Sequence, residues 1–332
     1  MTRHESTAVV YPFLDHQRHL CYPINTYAFI RVEGEDAATF LQGQLSGDIR
    51  QVNPYQSGLG AYHTLKGRVF ASFRILQLAP NEYLLCTHSS TVDDALQHLK
   101  KYAVFSKITL ATAPMWVIGV QGANIHSLPR NLADIPTHIL EQMTTTDGGW
   151  LIKTGHESQI APASYEIFFN NESATLSFSK ALQDSGFDYA PTTQHALTNH
   201  QHGMIFVCKQ TQALFLPQSL AYNRTPMLSF KKGCYHGQEV VVRLEHRGQL
   251  KHRLHRFQWP LTQQPSVGDP LFLPHQKVAV GHIVGAVSLS DSTVDVCCVL
   301  SVAIDQDEPY LLTKSKERCP LTETLPMSIL LD

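Results

Sequence analysis

Apolar and polar positions alternate along TYAFIRV (Thr26 to Val32), the period of a half-buried strand. The next stretch, EDAATFLQGQL (Glu35 to Leu45), carries Ala37, Phe40, Leu41 and Leu45 at helical spacing and predicts a helix opening near Asp36. RVFASFRILQL (Arg68 to Leu78), the turn-like APNE and YLLCT predict an antiparallel strand pair, followed by a helix over STVDDALQHLKKY and a strand over VFSKITL. Further short strands are predicted over WVIGVQG (Trp116 to Gly122), GWLIKTG (Gly149 to Gly155) and YEIFFN (Tyr165 to Asn170). Strands and helices mix without strict βαβ alternation, so the pattern favours α+β layers over a doubly wound sheet. In GQEVVVRLEHRG, Val240, Val241 and Leu244 share one helical face, Glu239 sits in the first turn and Gly248 ends the helix. After about residue 255 the pattern becomes short β-rich runs, RFQWPL, DPLFLP, KVAVGHIVGAVSL and STVDVCCVLSVAI, broken by Pro, Gly and Asp. These predict a small all-β domain, a barrel, over 256–332, with an α+β region over 1–255.

Composition narrows the class. A chain of 332 residues that is 43% hydrophobic can bury a sizeable core, and its length suits two or three domains. A formal charge of −2 argues against a wholesale polyanion binder, although 18 histidines make the surface more positive below about pH 6.5. Any basic function must therefore be local. The start, MTRHESTAVVYPFLDH, lacks the charged-then-apolar pattern of a secretory signal, and no apolar run approaches the roughly 18 residues of a membrane span. A cytoplasmic protein with no membrane partner is expected. Seven cysteines (Cys21, Cys86, Cys208, Cys234, Cys297, Cys298 and Cys319) make an odd count without a CxxC pair, which fits neither a disulfide framework nor a zinc ribbon. Cys86 in EYLLC and the vicinal Cys297 and Cys298 in VDVCCVL read as small core residues of strands. Only Cys234 sits in polar, glycine-flanked sequence.

That cysteine belongs to KKGCYHGQE (Lys231 to Glu239), just ahead of the predicted helix. Unpaired amides at a helix N-terminus stabilise anions, and Lys231 and Lys232 act in the same sense, so a reactive thiolate is expected at Cys234. A tight turn in which the thiol merely packs suits the same spacing. Lys231, Lys232, Arg243, Arg247, Lys251, Arg253 and Arg256 place seven of the 26 Lys and Arg within 26 residues. A phosphate backbone or a polyglutamate tail would satisfy such a patch, and a solvated helix face would equally produce it. The pairs His200 and His202 in NHQHG and His252 and His255 in KHRLHR have no third or fourth ligand nearby in sequence, so no metal site is expected. No P-loop, GxGxxG or GxSxG motif occurs.

KKGCYHGQE closely resembles the K-G-C-Y-x-G-Q-E signature of the YgfZ-like folate-binding proteins, relatives of the glycine cleavage system T-protein. The resemblance extends to LKGRVF (Leu65 to Phe70), GEDAATFLQGQLSGDI (Gly34 to Ile49), LKKYAVFSKITL (Leu99 to Leu110) and FLPQSLAYN (Phe215 to Asn223). It implies a T-protein-like ring of three domains around a central channel that holds folate, with two intertwined α+β subdomains before the C-terminal β-barrel. It also implies a tetrahydrofolate-binding accessory protein that supports assembly or repair of iron–sulfur clusters in client enzymes, including those that thiolate tRNA.

Laid on the T-protein's G-G-x-x-D-D segment, the chain has Ala71 and Ser72 where that enzyme carries two aspartates, the first of them its catalytic carboxylate. The ordinary aminomethyltransferase reaction is therefore not expected. ASYEIFF (Ala163 to Phe169) resembles the T-protein strand whose glutamate binds the pterin, which makes Glu166 the candidate for that contact. A carboxylate can accept two parallel hydrogen bonds from the pterin's amino group and ring N–H. Lys66 and Arg68 of the KGR turn are expected in the channel wall. Lys232, Gly233, Tyr235, Gly237, Gln238 and Glu239 are expected to shape the folate site around Cys234, the candidate reactive residue. Two rivals stand beside this reading. One is a folate-dependent methyl or aminomethyl transferase with a different acid–base group, for which Asp48 is the stand-in. The other is a tRNA-binding protein that uses Lys231 to Arg256. A single candidate thiolate needs outside ligands to hold a cluster, so no permanent cluster is expected.

Overall fold

The computed structural model of the chain describes residues 18–122, 128, 135–146, 148–159, 161–260, 265–304, 310–321 and 324–328. Its first part runs β1 (Leu20–Pro23), β2 (Tyr27–Glu33), α1 (Ala37–Gln44), β3 (Gly58–His63), β4 (Val69–Ala79), β5 (Glu82–His88), α2 (Val92–Tyr102) and β6 (Thr109–Thr112). Then come β7 (Trp116–Gln121), β8 (Gln142–Thr144), β9 (Trp150–Gly155), β10 (Ser164–Phe169), α3 (Glu172–Asp184), β11 (Asp188–Tyr189) and α4 (Thr193–Gln201). After a long irregular stretch, α5 (Gln238–Arg247) leads into β12 (His252–Trp259), β13 (Pro270–Phe272), β14 (Ala279–Ser290), β15 (Thr293–Ser301), β16 (Tyr310–Leu312) and β17 (Arg318–Pro320).

Three sheets result, and the fold class is α+β. The first has the order β3-β4-β5-β2-β6 and the second β11-β1-β7-β10-β9-β8. Because β1 joins the second sheet before the chain builds the first, these two units are intertwined. Strand β4 shows how they pack. Ala71, Phe73 and Ile75 lie in one core with Phe40 and Leu41 of α1 and Leu99 of α2. Leu76 turns to the other side, into a core with Ile152 and Phe168 of the second sheet. Each fully buried Leu, Ile or Phe of this kind stabilises the fold by about 1.5–3 kcal/mol relative to exposure.

The third sheet has the order β12-β15-β14-β13-β16-β17. Among the described residues its hydrogen-bonded order does not close from β17 back to β12, so it is a half-barrel. The two ends approach through the Trp259 indole N–H, which donates to the Pro320 carbonyl at 3.0 Å. One predicted strand is shorter than its pattern suggested. In VFSKITL the strand begins only at Thr109, and Val104 and Phe105 lie exposed in a 3-10 turn that prolongs α2.

Candidate functional site

Between the first sheet, α4 and the half-barrel lies a cleft of about 150 Å³. Tyr27, His88, His195, Asn199, His200 and Phe206 are among its lining residues. Its back wall is a buried polar network. The Tyr27 hydroxyl donates to Glu166 Oε1 at 3.1 Å and lies 3.0 Å from His195 Nε2. Asn199 Nδ2 is also 3.0 Å from that ring nitrogen, and Thr26 Oγ1 lies 3.4 Å from Nδ1. Alternation along β10 points Glu166 inward from the second sheet, while alternation along β4 sends Arg74 toward it from the first. Arg74 Nε lies 2.9 Å from Glu166 Oε2, and Nη2 donates to Oε1 at 3.4 Å. Burial by itself would raise the Glu166 carboxyl, but Arg74 and then His195 and Tyr27 reverse this and hold it below the usual carboxylate range. Burial likewise opposes charge on Arg74, and Glu166 outweighs it.

The KKGCYHGQE loop lies elsewhere and is built on α1 and the KGR turn. Lys232 points inward and donates to the carbonyls of Gln42, Leu45 and Gly47 at 2.7, 2.6 and 2.7 Å. All three ammonium protons thus cap the C-terminal end of α1, whose carbonyls have no partner within the helix. Burial lowers this lysine to about 8. The same ammonium lies 5.3 Å from the centroid of the buried Tyr235 ring, a cation–π contact. The His236 amide donates to the Gly43 carbonyl at 3.1 Å, and its ring stacks on Tyr62 at 5.1 Å. Gly237, at φ 76°, comes so close to Thr64 that a Cβ would lie 2.4 Å from its carbonyl oxygen. Gln238 Oε1 accepts the Tyr235 N–H at 3.3 Å and opens α5, with Glu239 in the first turn. These contacts leave Gly233 and Cys234 exposed, and all six other cysteines are buried. Cys234 borders a shallow groove along α5 with Gln238, Glu239, Arg243, His246 and Arg247.

The KGR turn buttresses this face. Gly67, at φ 71°, sits against α5, where a Cβ would lie 2.9 Å from Val240 Cβ. Lys66 is exposed, and the Arg68 guanidinium donates to the Leu214 carbonyl. Neither side chain is among those lining the cleft, so the structure puts them with α5 rather than with Tyr27 and His195. Cys234 and Glu166 are likewise not brought together, because Cys234 belongs to the outer groove and Glu166 to the wall behind the cleft. In the basic segment, Lys231, Arg243, Arg247, Lys251 and Arg253 are exposed. Lys232 and Arg256 are buried, the latter paired with Asp295 at 2.8 Å. Ala71 is buried in the core of the first sheet, and the Ser72 hydroxyl accepts the Val207 N–H at 2.8 Å. Asp48 pairs with Arg50 at 2.7 Å, which together with Gln42 lowers it to about 2, and it does not line the cleft.

Sequence spacing missed the cluster of His200, Asp295 and Cys297, whose polar atoms lie within 4.8 Å of one another. His200 Nδ1 is 2.8 Å from Asp295 Oδ1, and its Nε2 side is accommodated by Gly285, where a Cβ would lie 2.2 Å from the ring. Burial would favour neutral His200, but Cys297 and Asp295 outweigh it and push the imidazole up to about 10. His202 has a different partner, with Nε2 3.3 Å from Ser164 Oγ, and burial lowers it to about 4. The two histidines of NHQHG thus serve separate contacts. The signal that finds the cluster is a three-dimensional row, with Arg256, Cys297 and Gly285 paired across β12, β15 and β14.

The family profile of the GCVT N-terminal domain matches residues 20–200, which contain the first two sheets, Arg74, Glu166 and most of α4. The chain belongs to the GCVT N-terminal domain family. Within it, this member is 27% identical over 310 residues to the tRNA-modifying protein YgfZ of Yersinia enterocolitica serotype O:8, covering 92% of each chain. The tRNA-modifying protein YgfZ of Escherichia fergusonii is 26% identical over 313 residues, again covering 92% of each. The YgfZ-like resemblance read from KKGCYHGQE therefore spans most of this GCVT-domain chain. Among solved structures, the glycine cleavage system aminomethyltransferase T of Bartonella henselae superposes with a TM-score of 0.67 over 93% of this chain and 86% of that one. At 15% identity that likeness shows the shared GCVT-type fold.

Proposed function

We propose that this protein is a tetrahydrofolate-binding accessory factor of the YgfZ type, which supports iron–sulfur cluster assembly or repair in client enzymes, including tRNA-thiolating ones. The observation that carries this reading is a cleft with room and apolar surface for a flat heterocycle but no Asp or Glu among its described lining residues. Tetrahydrofolate would lie against the touching rings of Phe206 and Tyr27, with His195 and Asn199 as polar contacts, and it would supply a one-carbon carrier. The cleft lies between the first sheet, α4 and the half-barrel, and a T-protein-like ring of domains around a folate channel would put the ligand there. Transfer of the T-protein type needs a carboxylate beside the folate. Ala71 and Ser72 offer no carboxylate, and Asp48 is held by Arg50 outside the cleft. Cys234, exposed on a separate basic face, is the group that meets partners. Charge on Lys231, Arg243, Arg247, Lys251 and Arg253 supports tRNA or an acidic client surface as what docks there.

The test uses cells lacking this protein. Thiolated tRNA and cluster occupancy of iron–sulfur enzymes are measured after complementation with wild type and with Cys234→Ala. Restoration by wild type and failure by the variant is expected, with no folate-dependent consumption of methylated amines by the purified protein. Robust turnover of such an amine would replace the accessory reading with a transferase.

A further inference from the structure

The feature that a folate reading does not absorb is Arg74. In a pterin-binding carboxylate, both oxygens face the ligand and accept its amino and ring N–H donors side by side. Glu166 has the right residue type and strand position, yet a guanidinium from its own chain already stands against it. Nη2 donates to Oε1 at 3.4 Å, and Nε stands 2.9 Å from Oε2 as an ion-pair contact without hydrogen-bond alignment, so the cation lies against both oxygens. The remaining capacity of Oε1 is taken by the Tyr27 hydroxyl at 3.1 Å, with His195 Nε2 at 3.4 Å. Arg74 and Glu166 side chains are 1% and 3% exposed, and neither residue lines the cleft. What faces the cleft from this network is Tyr27 and His195.

We propose that Arg74 fills, from within the chain, the place on Glu166 that the amino-pyrimidinone edge of a pterin would take, so that the cleft admits flat heterocycles without requiring that donor edge. The physical reason is a competition that the ligand loses. A pterin edge offers two neutral donors, whereas Arg74 brings a full positive charge 2.9 Å from Oε2 and one charge-assisted bond to Oε1, roughly twice as strong as a neutral one. Displacing Arg74 would also strand a buried cation without its counter-ion. Glu166 then acts as a positioning residue. It orients Tyr27 and His195 and does not touch the ligand.

The ligand class follows: aromatic or partly reduced bicyclic heterocycles, read by stacking and by His195 and Asn199, with no selection for a 2-amino group. The inference rests on the folate reading only for the ligand used in its first test. In anaerobic calorimetry, tetrahydrofolate is compared with its 2-desamino-2-methyl analogue on the wild-type protein. Affinities within about threefold of each other are expected, since no site donor or acceptor is left unmade by the analogue. A site that does hydrogen-bond the edge would reject the analogue by about a hundredfold or more, and that result overturns the proposal while keeping the folate reading. If neither compound binds, the folate reading fails, and the Arg74 Nε–H resonance in proton–nitrogen NMR of the free protein decides the proposal. A slowly exchanging signal that Glu166→Gln shifts or abolishes supports the internal pairing. A rapidly exchanging signal, or one indifferent to Glu166→Gln, overturns it.

Discussion

Arg74 on β4 and Glu166 on β10 meet across the interface of the first two sheets, Nε 2.9 Å from Oε2, with side-chain exposures of 1% and 3%. Such a pair is costly to break from one side only. Arg74→Met alone is expected to lower the unfolding free energy by about 3–5 kcal/mol, because Glu166 is left buried without its counter-ion. The double variant Arg74→Met with Glu166→Gln recovers most of that loss, since the amide still accepts from Tyr27 without a charge. Urea unfolding of the three proteins measures this. Equal losses in the single and double variants would show that the ion pair is not what the single change disrupts.

Two buried histidines give stability opposite pH dependences. Burial, with smaller contributions from His236 and Lys232, holds His63 at about 3, against an ordinary value of 6.5. The unfolded chain takes up a proton that the folded one refuses, so stability present above 6.5 is lost as pH falls toward 3, at about 1.4 kcal/mol per pH unit. His200, pushed up to about 10, keeps a proton that the unfolded chain releases, so its contribution is full below 6.5 and declines as pH rises through that window. Above about 8, Lys232 releases its own proton in the fold and offsets the decline. A melting temperature with a maximum near pH 6.5 is expected. His63→Phe should flatten the acid limb without lowering the maximum, because neither ring nitrogen has a hydrogen-bond partner among the described residues. His200→Gln should flatten the limb between pH 6.5 and 8. A steeper acid limb in His63→Phe would refute the assignment.

Gly67 has a positive φ of 71° and touches α5. Gly67→Ala adds a left-handed strain of about 1–3 kcal/mol and drives a methyl group into Val240. Thermal unfolding should report a loss of at least that size, together with faster backbone amide exchange in α5. A melting temperature equal to wild type would mean that the turn does not buttress the helix.

Among the seven cysteines only Cys234 is exposed. Brief treatment of the native protein with iodoacetamide should therefore add one carbamidomethyl group, mapped by mass spectrometry to the KKGCYHGQE peptide, with the other six reacting only after unfolding. Several adducts on the native chain within the same interval would contradict the burial of the other thiols.

Legibility from sequence followed the physics of each element. α1, α2 and α5 bury one face each, so their period of 3.6 shows in the residues, whereas the β4–β5 pair is buried on both faces and shows as two apolar runs around the APNE turn. α4 does not show its period, because its buried positions include Gln194, His195, Thr198 and His200, polar groups that bond across the interface rather than hide from water. β3 is buried on both faces and carries two glycines, which reads as a loop. The KGC motif marked an exposed thiol, yet the inward turn of Lys232 to α1 depends on residues 185 or more positions away. For the same reason Glu166 could be named by its strand but its occupant could not, since Arg74 lies 92 positions earlier.

The most direct test of the folate-binding cleft is anaerobic calorimetric titration of tetrahydrofolate into wild type, Cys234→Ala and Ala286→Trp, the last placing a bulky ring in the cleft wall. Saturable one-to-one binding to wild type and Cys234→Ala, abolished in a folded Ala286→Trp protein, is the predicted result. Absence of binding to wild type, or undiminished binding to Ala286→Trp, would contradict a folate site between the first sheet, α4 and the half-barrel.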